Sequence, residues 1–250
     1  MDVNPQIMIR SLTKRYDDVV ALDSLDLQIA KGETFGLLGP NGAGKTTTIS
    51  ILCGLDRPTS GKAVIGGLNV AEEPSAVKEM IGVCTQSSSV IPHLTGRENV
   101  ELFAALHSVP RKAAKEKATA QLERMGLNGD SDRRAGKYSE GMKRRLSLAM
   151  ALVADPPIVF LDEPTAAMDP QSRHAVWDVV KELKKEGRTC ILTTHYIEEA
   201  EALCDRVGII DHGKLIALGS PQELIAKHQP KDLEDVFIHL TGRRIREESA

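Results

Sequence analysis

A glycine-rich stretch near the start of the chain has the residue types and spacing of a phosphate-binding loop. It reads GPNGAGKTT from Gly39 to Thr47. Glycines let backbone N–H groups converge on anionic oxygens, because no Cβ atom blocks the approach. Lys45 can reach the outer phosphates of a nucleotide, and the Thr46 hydroxyl can coordinate Mg²⁺. The residues expected to form this site are Gly39, Asn41, Gly42, Ala43, Gly44, Lys45, Thr46 and Thr47.

The segments on either side of the loop distinguish a phosphate site from an ordinary turn. The apolar run Thr34–Leu38 predicts a buried strand before the loop, and the pattern from Thr47 to Cys53 predicts a helix after it, closed by Gly54. The N-terminus of that helix adds partial positive charge where the glycines converge. This context favours a phosphate site over the simpler alternative, a glycine turn before an ordinary helix.

Two adjacent carboxylates follow a second apolar strand. The run Ile158–Leu161 delivers Asp162 and Glu163 at its C-terminal end. Ligands of open α/β sheets collect at the carboxyl ends of the strands. With a phosphate loop on another strand, Asp162 is predicted to bind Mg²⁺ and Glu163 to orient or deprotonate an attacking water.

Gln86 and His195 also follow predicted strands. Gln86 comes after Ile81–Thr85, and His195 comes after the run that starts at Thr189. Taken alone, Gln86 is most simply a loop residue, and a single histidine after a strand is more often structural. At the same edge as the carboxylates, however, Gln86 can contact an ion or a water, and His195 can contact the γ-phosphate.

The pattern of the chain changes along its length. Alternating apolar residues predict antiparallel strands over residues 7–31, and a helical insert is predicted over about 87–155. Ser139 is a natural N-cap, and the helix after it is most simply a capped helix with basic, solvated side chains. Tyr16 ends the first strand, where it can stack on a base or simply pack. A helical tail is predicted over about 220–250.

Composition limits the classes of partner. The 250 residues are 41% hydrophobic and 3% aromatic, and the net charge is −3, so neither charge nor aromatic content favours nucleic acid. The four cysteines are widely spaced in apolar segments, which predicts buried free thiols in a reducing compartment. Neither a signal peptide nor an apolar run approaching ~20 residues is present in the sequence, so a cytosolic chain is expected.

Taken together, these segments resemble the ATP-binding subunit of an ABC transporter over nearly the whole chain. Tyr16 is similar to the aromatic residue that stacks on adenine, Gly39–Thr47 to the Walker A loop, and Ile158–Glu163 to the Walker B strand. Gln86 resembles the glutamine that links Mg²⁺ to the membrane partner, and His195 resembles the switch histidine.

Two further segments resemble parts of the family that face a second subunit. Ser139–Met142 is similar to the family signature, which binds the γ-phosphate held by the opposite subunit, and Ala166–Asp169 is similar to the loop that crosses the dimer interface. The resemblance therefore implies a head-to-tail homodimer that encloses two ATP molecules. It adds Ser139 and Gly141 to the residues expected to bind ATP.

The resemblance also implies the fold and the activity. The expected fold is α/β, the ABC ATPase form of the P-loop NTPases, with a mostly parallel core sheet, an N-terminal antiparallel β subdomain and a helical subdomain. Residues 1–250 would form one domain. The expected protein is an ATPase that uses ATP and Mg²⁺ to power a separate transmembrane permease from the inner face of the cell membrane. Its catalytic residues would be Glu163, His195 and Lys45, and its metal ligands Thr46, Gln86 and Asp162.

The segment from Tyr138 to Arg145 and the late run Leu233–Ile238 resemble the branch of drug-resistance and polysaccharide or lipid exporters. Glu140 departs from the signature, where glycine is usual, and Ala167–Met168 departs from the interface loop. A carboxylate at Glu140 would repel a γ-phosphate unless it points outward or caps the helix N-terminus.

Two alternatives remain at the level of sequence. One is a soluble ABC ATPase of translation or repair, although such proteins usually carry two cassettes or long coiled-coil insertions. The other is a GTPase or small-molecule kinase that shares only the phosphate loop. The sequence contains no Asn-Lys-x-Asp motif for reading guanine, and this second alternative would leave Ser139 and His195 unexplained.

Overall fold

The chain folds around two β-sheets. The structure is a computed structural model that describes residues 5–87, 89–166, 168–228 and 231–242. The first sheet is antiparallel and has the strand order β2-β1-β4-β5. Its strands are β1 (Ile7–Tyr16), β2 (Val19–Ile29), β4 (Ser60–Ile65) and β5 (Leu68–Asn69). The antiparallel strands expected near the N-terminus are confirmed.

The second sheet positions the candidate site. Its order is β10-β9-β3-β8-β7-β6, and all neighbours are parallel except the β9–β10 hairpin. Its strands are β3 (Thr34–Leu38), β6 (Ile81–Cys84), β7 (Ile158–Asp162), β8 (Thr189–Thr194), β9 (Arg206–Asp211) and β10 (Lys214–Gly219). Because β3, β6, β7 and β8 are parallel, their carboxyl ends lie at one edge of the sheet.

The helices surround these sheets. They are α1 (Lys45–Leu52), α2 (Pro74–Met80), α3 (Gly96–Leu106), α4 (Arg111–Arg124), α5 (Glu140–Leu152), α6 (Pro170–Lys185), α7 (Ile197–Leu203), α8 (Pro221–His228) and α9 (Leu233–Thr241). The predicted N-cap at Ser139 is confirmed, and a capping box at Thr95 and an N-cap at Asp169 begin α3 and α6. Helix α1 begins at Lys45, two residues earlier than predicted, so Lys45 and Thr46 belong to its first turn.

The central sheet separates two hydrophobic clusters. Val159 and Leu161 of β7 pack into one cluster with α5 and α6, whereas Ile158 and Phe160 pack into the other with α1 and the first sheet. This alternation follows from the two-residue period of a strand. Both faces of β7 are therefore buried, which fixes its register and the position where the chain leaves the sheet.

Helix α5 differs from its prediction. The sequence predicts basic, solvated side chains for this helix, but every residue from Leu146 to Leu152 is buried. Arg144 is buried as well, with 7% of its surface exposed. The prediction of solvation is wrong for Arg144, because its side chain faces the exits of β6 and β7 and donates to their main-chain carbonyls.

The helices α3 and α4 pack on each other and on α5 through Val100, Ala104, Ala118 and Leu122. The assignment of residues 87–155 to a helical subdomain within one domain over 1–250 stays a prediction. In the tail, the helices α8 and α9 agree with the predicted helical character, and α9 buries Leu233, Val236 and Phe237. Residues 229–230 and 243–250 of the predicted tail lie outside the described residues.

The cysteines are buried and free, as predicted. Burial raises the pKa of the Cys190 thiol to about 12 and also raises the pKa of Cys84. Both thiols therefore stay protonated and unreactive at neutral pH. Among the described helices, none combines the length and the apolar character that crossing a bilayer would require.

Candidate functional site

The glycine loop joins β3 to α1, and at two of its positions there is no room for a side chain. Gly44 has a φ of 109°, and a Cβ atom there would lie 2.6 Å from the Ala21 carbonyl oxygen. A Cβ atom on Gly39 would lie 2.4 Å from the Ile210 carbonyl oxygen. The loop is thus packed against β2 and β9, and its N–H groups are held at the start of α1.

Lys45 points back along this loop. Its Nζ donates to the carbonyl oxygens of Gly39 at 2.7 Å and Pro40 at 3.3 Å, and it lies 4.0 Å from Glu163 Oε1. Burial lowers the pKa of Lys45, and the negative charges of Glu163 and Asp162 oppose that shift. A positive charge therefore stands between the glycine loop and the carboxylates of β7.

Strand β8 holds the Asp162 carboxylate and the main chain of Glu163. Asp162 Oδ1 accepts a hydrogen bond from Thr193 Oγ1 at 2.5 Å, and the same hydroxyl accepts from the Glu163 N–H at 3.0 Å. The Glu163 N–H also reaches the Thr193 carbonyl, at 3.1 Å. Sequence reasoning did not identify Thr193, because the pairing of β7 with β8 that brings it here is not visible in the sequence.

Glu163 contacts His195 directly. The distance between Glu163 Oε2 and His195 Nδ1 is 2.7 Å. Burial by itself raises the pKa of Glu163, but the hydrogen bond and electrostatic attraction of His195, together with the charges of Lys45 and Arg144, outweigh it and hold the pKa below its ordinary value. The Glu163 carboxylate is therefore ionised at neutral pH and can accept a hydrogen bond from a water.

Most of the predicted residues meet in one cleft of about 360 Å³. Its lining is Ala21, Asn41, Gly42, Gly44, Lys45, Thr46, Thr47, Gln86, Glu163 and His195. Of these residues, sequence reasoning missed only Ala21. Gly39 and Ala43 belong to the loop, but they are buried and do not line the cleft.

The predicted metal ligands meet in an adjoining cavity of about 430 Å³. Thr46, Gln86 and Asp162 all line this cavity, which lies between α1 and the exits of β6 and β7. A hydroxyl, an amide carbonyl and a carboxylate are all oxygen donors, the type that Mg²⁺ prefers. The three residues thus have the chemistry to hold Mg²⁺ beside the phosphate loop.

Tyr16 lies beside the cleft and is anchored at its hydroxyl. Its Oη lies 2.5 Å from Asp56 Oδ2, and Lys14 Nζ lies 2.6 Å from Asp56 Oδ1 and 4.6 Å from the centre of the Tyr16 ring. The hydrogen bond to Asp56 is the main cause that raises the pKa of Tyr16. Since 43% of Tyr16 is exposed, its ring can stack on a planar ligand.

Ser139 and Gly141 are not brought to this cleft. Ser139 is exposed at the N-cap of α5, where its Oγ accepts from the Met142 N–H at 3.2 Å. The side chain of Glu140 is 78% exposed and pairs with Lys143 Nζ at 2.6 Å. The carboxylate that departs from the family pattern therefore points into solvent and is partly neutralised on its own helix.

Arg144 is the other residue that sequence reasoning missed. Its guanidinium donates to main-chain carbonyls at the exits of both β6 and β7. One signal was available, because the almost unbroken apolar run after Arg145 indicates a helix buried all round rather than on one stripe.

The site combines a buried strand, a glycine loop, a helix N-terminus and carboxylates at the exit of β7. This combination defines a phosphate-loop nucleotide-binding protein. Comparison with known proteins narrows the class. The family model described as "ABC transporter" matches residues 22–166. The chain belongs to the ABC transporter family.

Three curated relatives illustrate its place in the family. The chain is 44% identical over 241 residues to the doxorubicin resistance ATP-binding protein DrrA of Mycobacterium tuberculosis, covering 92% of this chain and 72% of DrrA. It is 41% identical over 237 residues to the Nod factor export ATP-binding protein I of Burkholderia pseudomallei, covering 95% of this chain and 78% of that protein. It is 49% identical over 220 residues to ATP-binding cassette sub-family A member 7 of Rattus norvegicus, covering 87% of this chain but only 10% of that protein.

Solved structures agree with the fold. An ATP-binding subunit of an ABC transporter superposes with a TM-score of 0.86 at 25% identity, covering 94% of this chain and 99% of that one. A dimeric, post-hydrolysis ATP-binding cassette bound to ADP and Pi superposes with a TM-score of 0.79 at 28% identity, covering 86% of this chain and 98% of that one. The predicted fold class, the family and its drug-resistance and polysaccharide-exporter branch are confirmed. The GTPase or kinase alternative loses its support.

Proposed function

We propose that the chain hydrolyses ATP and thereby powers a separate membrane permease that exports a drug, a lipid or a glycan. The observation that carries this proposal is the convergence of Lys45, Glu163 and His195 with the glycine loop in one cleft. Phosphate-binding groups and an ionised carboxylate thus lie within reach of the same terminal phosphate. That arrangement suits hydrolysis as well as binding.

Each group has a distinct role in this proposal. The loop N–H groups and Lys45 hold the β- and γ-phosphates, and the exposed face of Tyr16 stacks on adenine. Thr46, Gln86 and Asp162 would hold Mg²⁺, which supplies charge neutralisation at the phosphates. Glu163 orients and deprotonates the attacking water, and His195 holds the Glu163 carboxylate while facing the γ-phosphate.

The site is completed by a second copy of the chain. Ser139 and Glu140 are exposed, Gly141 is half-buried, and none of the three lines the cleft of its own chain. In a head-to-tail dimer, the N-terminus of α5 would face the γ-phosphate held by the other copy. The dimeric cassettes among the similar structures support this arrangement.

The relatives support the transport role. Their names describe resistance to doxorubicin and daunorubicin and export of Nod factor, and they are named ATP-binding proteins of those systems. By analogy, this chain would act at the cytoplasmic face of the membrane, docked on the permease. A role in translation or repair is the competing outcome.

Two measurements test the proposal. The purified chain should hydrolyse ATP only when Mg²⁺ is present and should prefer ATP to GTP. A tagged chain should retain a polytopic membrane protein from detergent extracts of its own source cells. Equal turnover of GTP, or co-purification with ribosomes or DNA in place of a membrane protein, would refute the proposed function.

A further inference from the structure

One arginine of α5 binds the main chain at two strand exits of the site. Arg144 is buried, and a guanidinium carries five N–H donors. All five donors find backbone carbonyl acceptors. Nε donates to Pro164 at 2.9 Å, Nη1 to Gln86 at 3.0 Å and to Thr85, and Nη2 to Glu163 at 2.6 Å and Asp162 at 2.5 Å.

These five carbonyls lie at the exits of two neighbouring strands. Thr85 and Gln86 follow β6, whereas Asp162, Glu163 and Pro164 lie at the end of β7. The two strands are paired in parallel, so their exits are adjacent. The planar guanidinium spans the gap between the exits and ties both of them to α5.

The conformation of Glu163 shows why such an anchor is needed. Its φ is 47°, a left-handed conformation that a side chain with a Cβ atom rarely adopts. Strained backbone of this kind persists only where the surroundings fix it. Thr193 binds the Glu163 N–H from the side of β8, and Arg144 binds the Glu163 carbonyl from the side of α5.

We propose that Arg144 is a positioning residue that fixes the main chain of Gln86 and Glu163, and so sets where these two residues stand relative to the phosphate loop. The inference rests on the proposed function for its catalytic meaning, but its structural part stands alone. Because α5 begins just after Ser139, the helix that would face the second copy is rigidly joined to the hydrolytic groups of its own chain.

The matched variants are Arg144→Lys and Arg145→Lys. Lysine keeps the charge but offers a single ammonium, which cannot span five carbonyls. Arg145 is the next residue on the same helix, and its Nη1 donates to one carbonyl, that of Met125, at 2.8 Å. The same chemical change is thus made one residue later, where the strand exits are not involved. Arg144→Gln serves as a second variant if the lysine variant does not fold.

The first experiment is amide hydrogen exchange without nucleotide. In Arg144→Lys, the segments 85–87 and 162–166 should exchange about tenfold faster than in the unmodified chain. Local opening of these segments becomes easier because the charged hydrogen bonds from the guanidinium no longer have to break. In Arg145→Lys, these segments should keep their rates. Equal rates in the two variants would overturn the proposal, whatever the chain does with ATP.

The second experiment separates binding from turnover. Arg144→Lys should lower kcat on the order of a hundredfold while the Kd for ATP changes less than about twofold, because misplaced groups impair the reaction more than the binding. Arg145→Lys should keep both values. A parallel loss of ATP affinity, or an unchanged kcat, would contradict the proposal. If the unmodified chain hydrolyses no ATP, the proposed function fails, and the exchange experiment still decides the role of Arg144.

Discussion

The phosphate loop and the first turn of α5 are both helix N-termini, but they are built in opposite ways. In the loop, Lys45 is buried, bonds to the main chain and faces Glu163. At α5, Ser139 and Glu140 are exposed, and Glu140 pairs with Lys143 in solvent. The first N-terminus is surrounded by side chains of its own chain, whereas the second is exposed at Ser139 and Glu140. The difference fits the proposal that each ATP site consists of the cleft of one chain and a half-site, the N-terminus of α5, from the other copy.

The largest effect that would test this comparison is expected from Glu163→Gln. Glutamine keeps the shape but cannot take a proton, so turnover should fall on the order of a thousandfold. Binding of ATP should remain, because the loop and Lys45 are intact. Sedimentation should then show a dimer that persists with ATP and Mg²⁺. Near-normal phosphate release in this variant, or a monomer at saturating nucleotide, would break the assignment of Glu163 and of the dimer.

Lys45→Ala should weaken ATP binding to the cleft of a single chain. Loss of a buried cation that binds phosphate is expected to lower ATP affinity by about tenfold to a hundredfold, from the usual strength of charged hydrogen bonds. The affinity can be measured by titrating a fluorescent ATP analogue into the chain at a dilution where it is monomeric. Lys62→Ala, an exposed lysine on β4, is the matched control and should bind normally.

Ser139→Ala should affect only the half-site. ATP binding to the monomer should stay the same, whereas ATP-dependent dimerisation and turnover should fall by about tenfold, because one charge-assisted hydrogen bond across the dimer is lost. The alanine also removes the N-cap of α5. Ser139→Asn keeps a cap, so recovery of activity in that variant would assign the loss to the cap and not to contact with the partner.

The pH dependence should reveal the contact between Glu163 and His195. The pKa of Glu163 is held below its ordinary value, so its active, ionised form is lost only as pH falls through that depressed pKa. His195→Ala removes the hydrogen bond that lowers this pKa, so the acidic limb of kcat, normalised to its own maximum, should move to higher pH. An unmoved limb would mean that another group controls it.

The smallest effect is expected from Glu140→Gln. A carboxylate in the first turn repels a phosphate approaching the N-terminus of α5, and exposed charges of this kind contribute about 0.3–1 kcal/mol. Its pairing with Lys143 reduces the repulsion further. ATP-dependent dimerisation should therefore strengthen by about twofold to fivefold, and added salt should diminish the difference. Weaker dimerisation would mean that Glu140 contributes a favourable contact.

The sequence predicted the parts of the molecule that depend on local pattern. Buried strands, capping residues and the glycine loop each have a period or a spacing, and the strand exits that carry Asp162, Glu163 and His195 followed from them. What could not be predicted depends on contacts between distant segments. Thr193 reaches Asp162 only because β8 pairs with β7, and Arg144 reaches β6 and β7 only because α5 packs against the sheet.

The start of α1 shows the limit of local reasoning on a smaller scale. The apolar pattern began at Thr47, but the helix begins at Lys45, since Gly44 in its left-handed conformation already allows the turn. Tyr16 gives a second example. Its position at the end of β1 was clear, whereas its anchor, Asp56, lies 40 residues further along the chain.

The anchor at Arg144 binds only carbonyl oxygens, and every amino acid carries one. These hydrogen bonds at the rim of the cleft therefore do not depend on the side chains at Thr85, Gln86 or Pro164. Substitutions at these positions can alter chemistry or partner preference while the rim keeps its shape. The main-chain scaffold and the side chains that it presents can thus evolve separately.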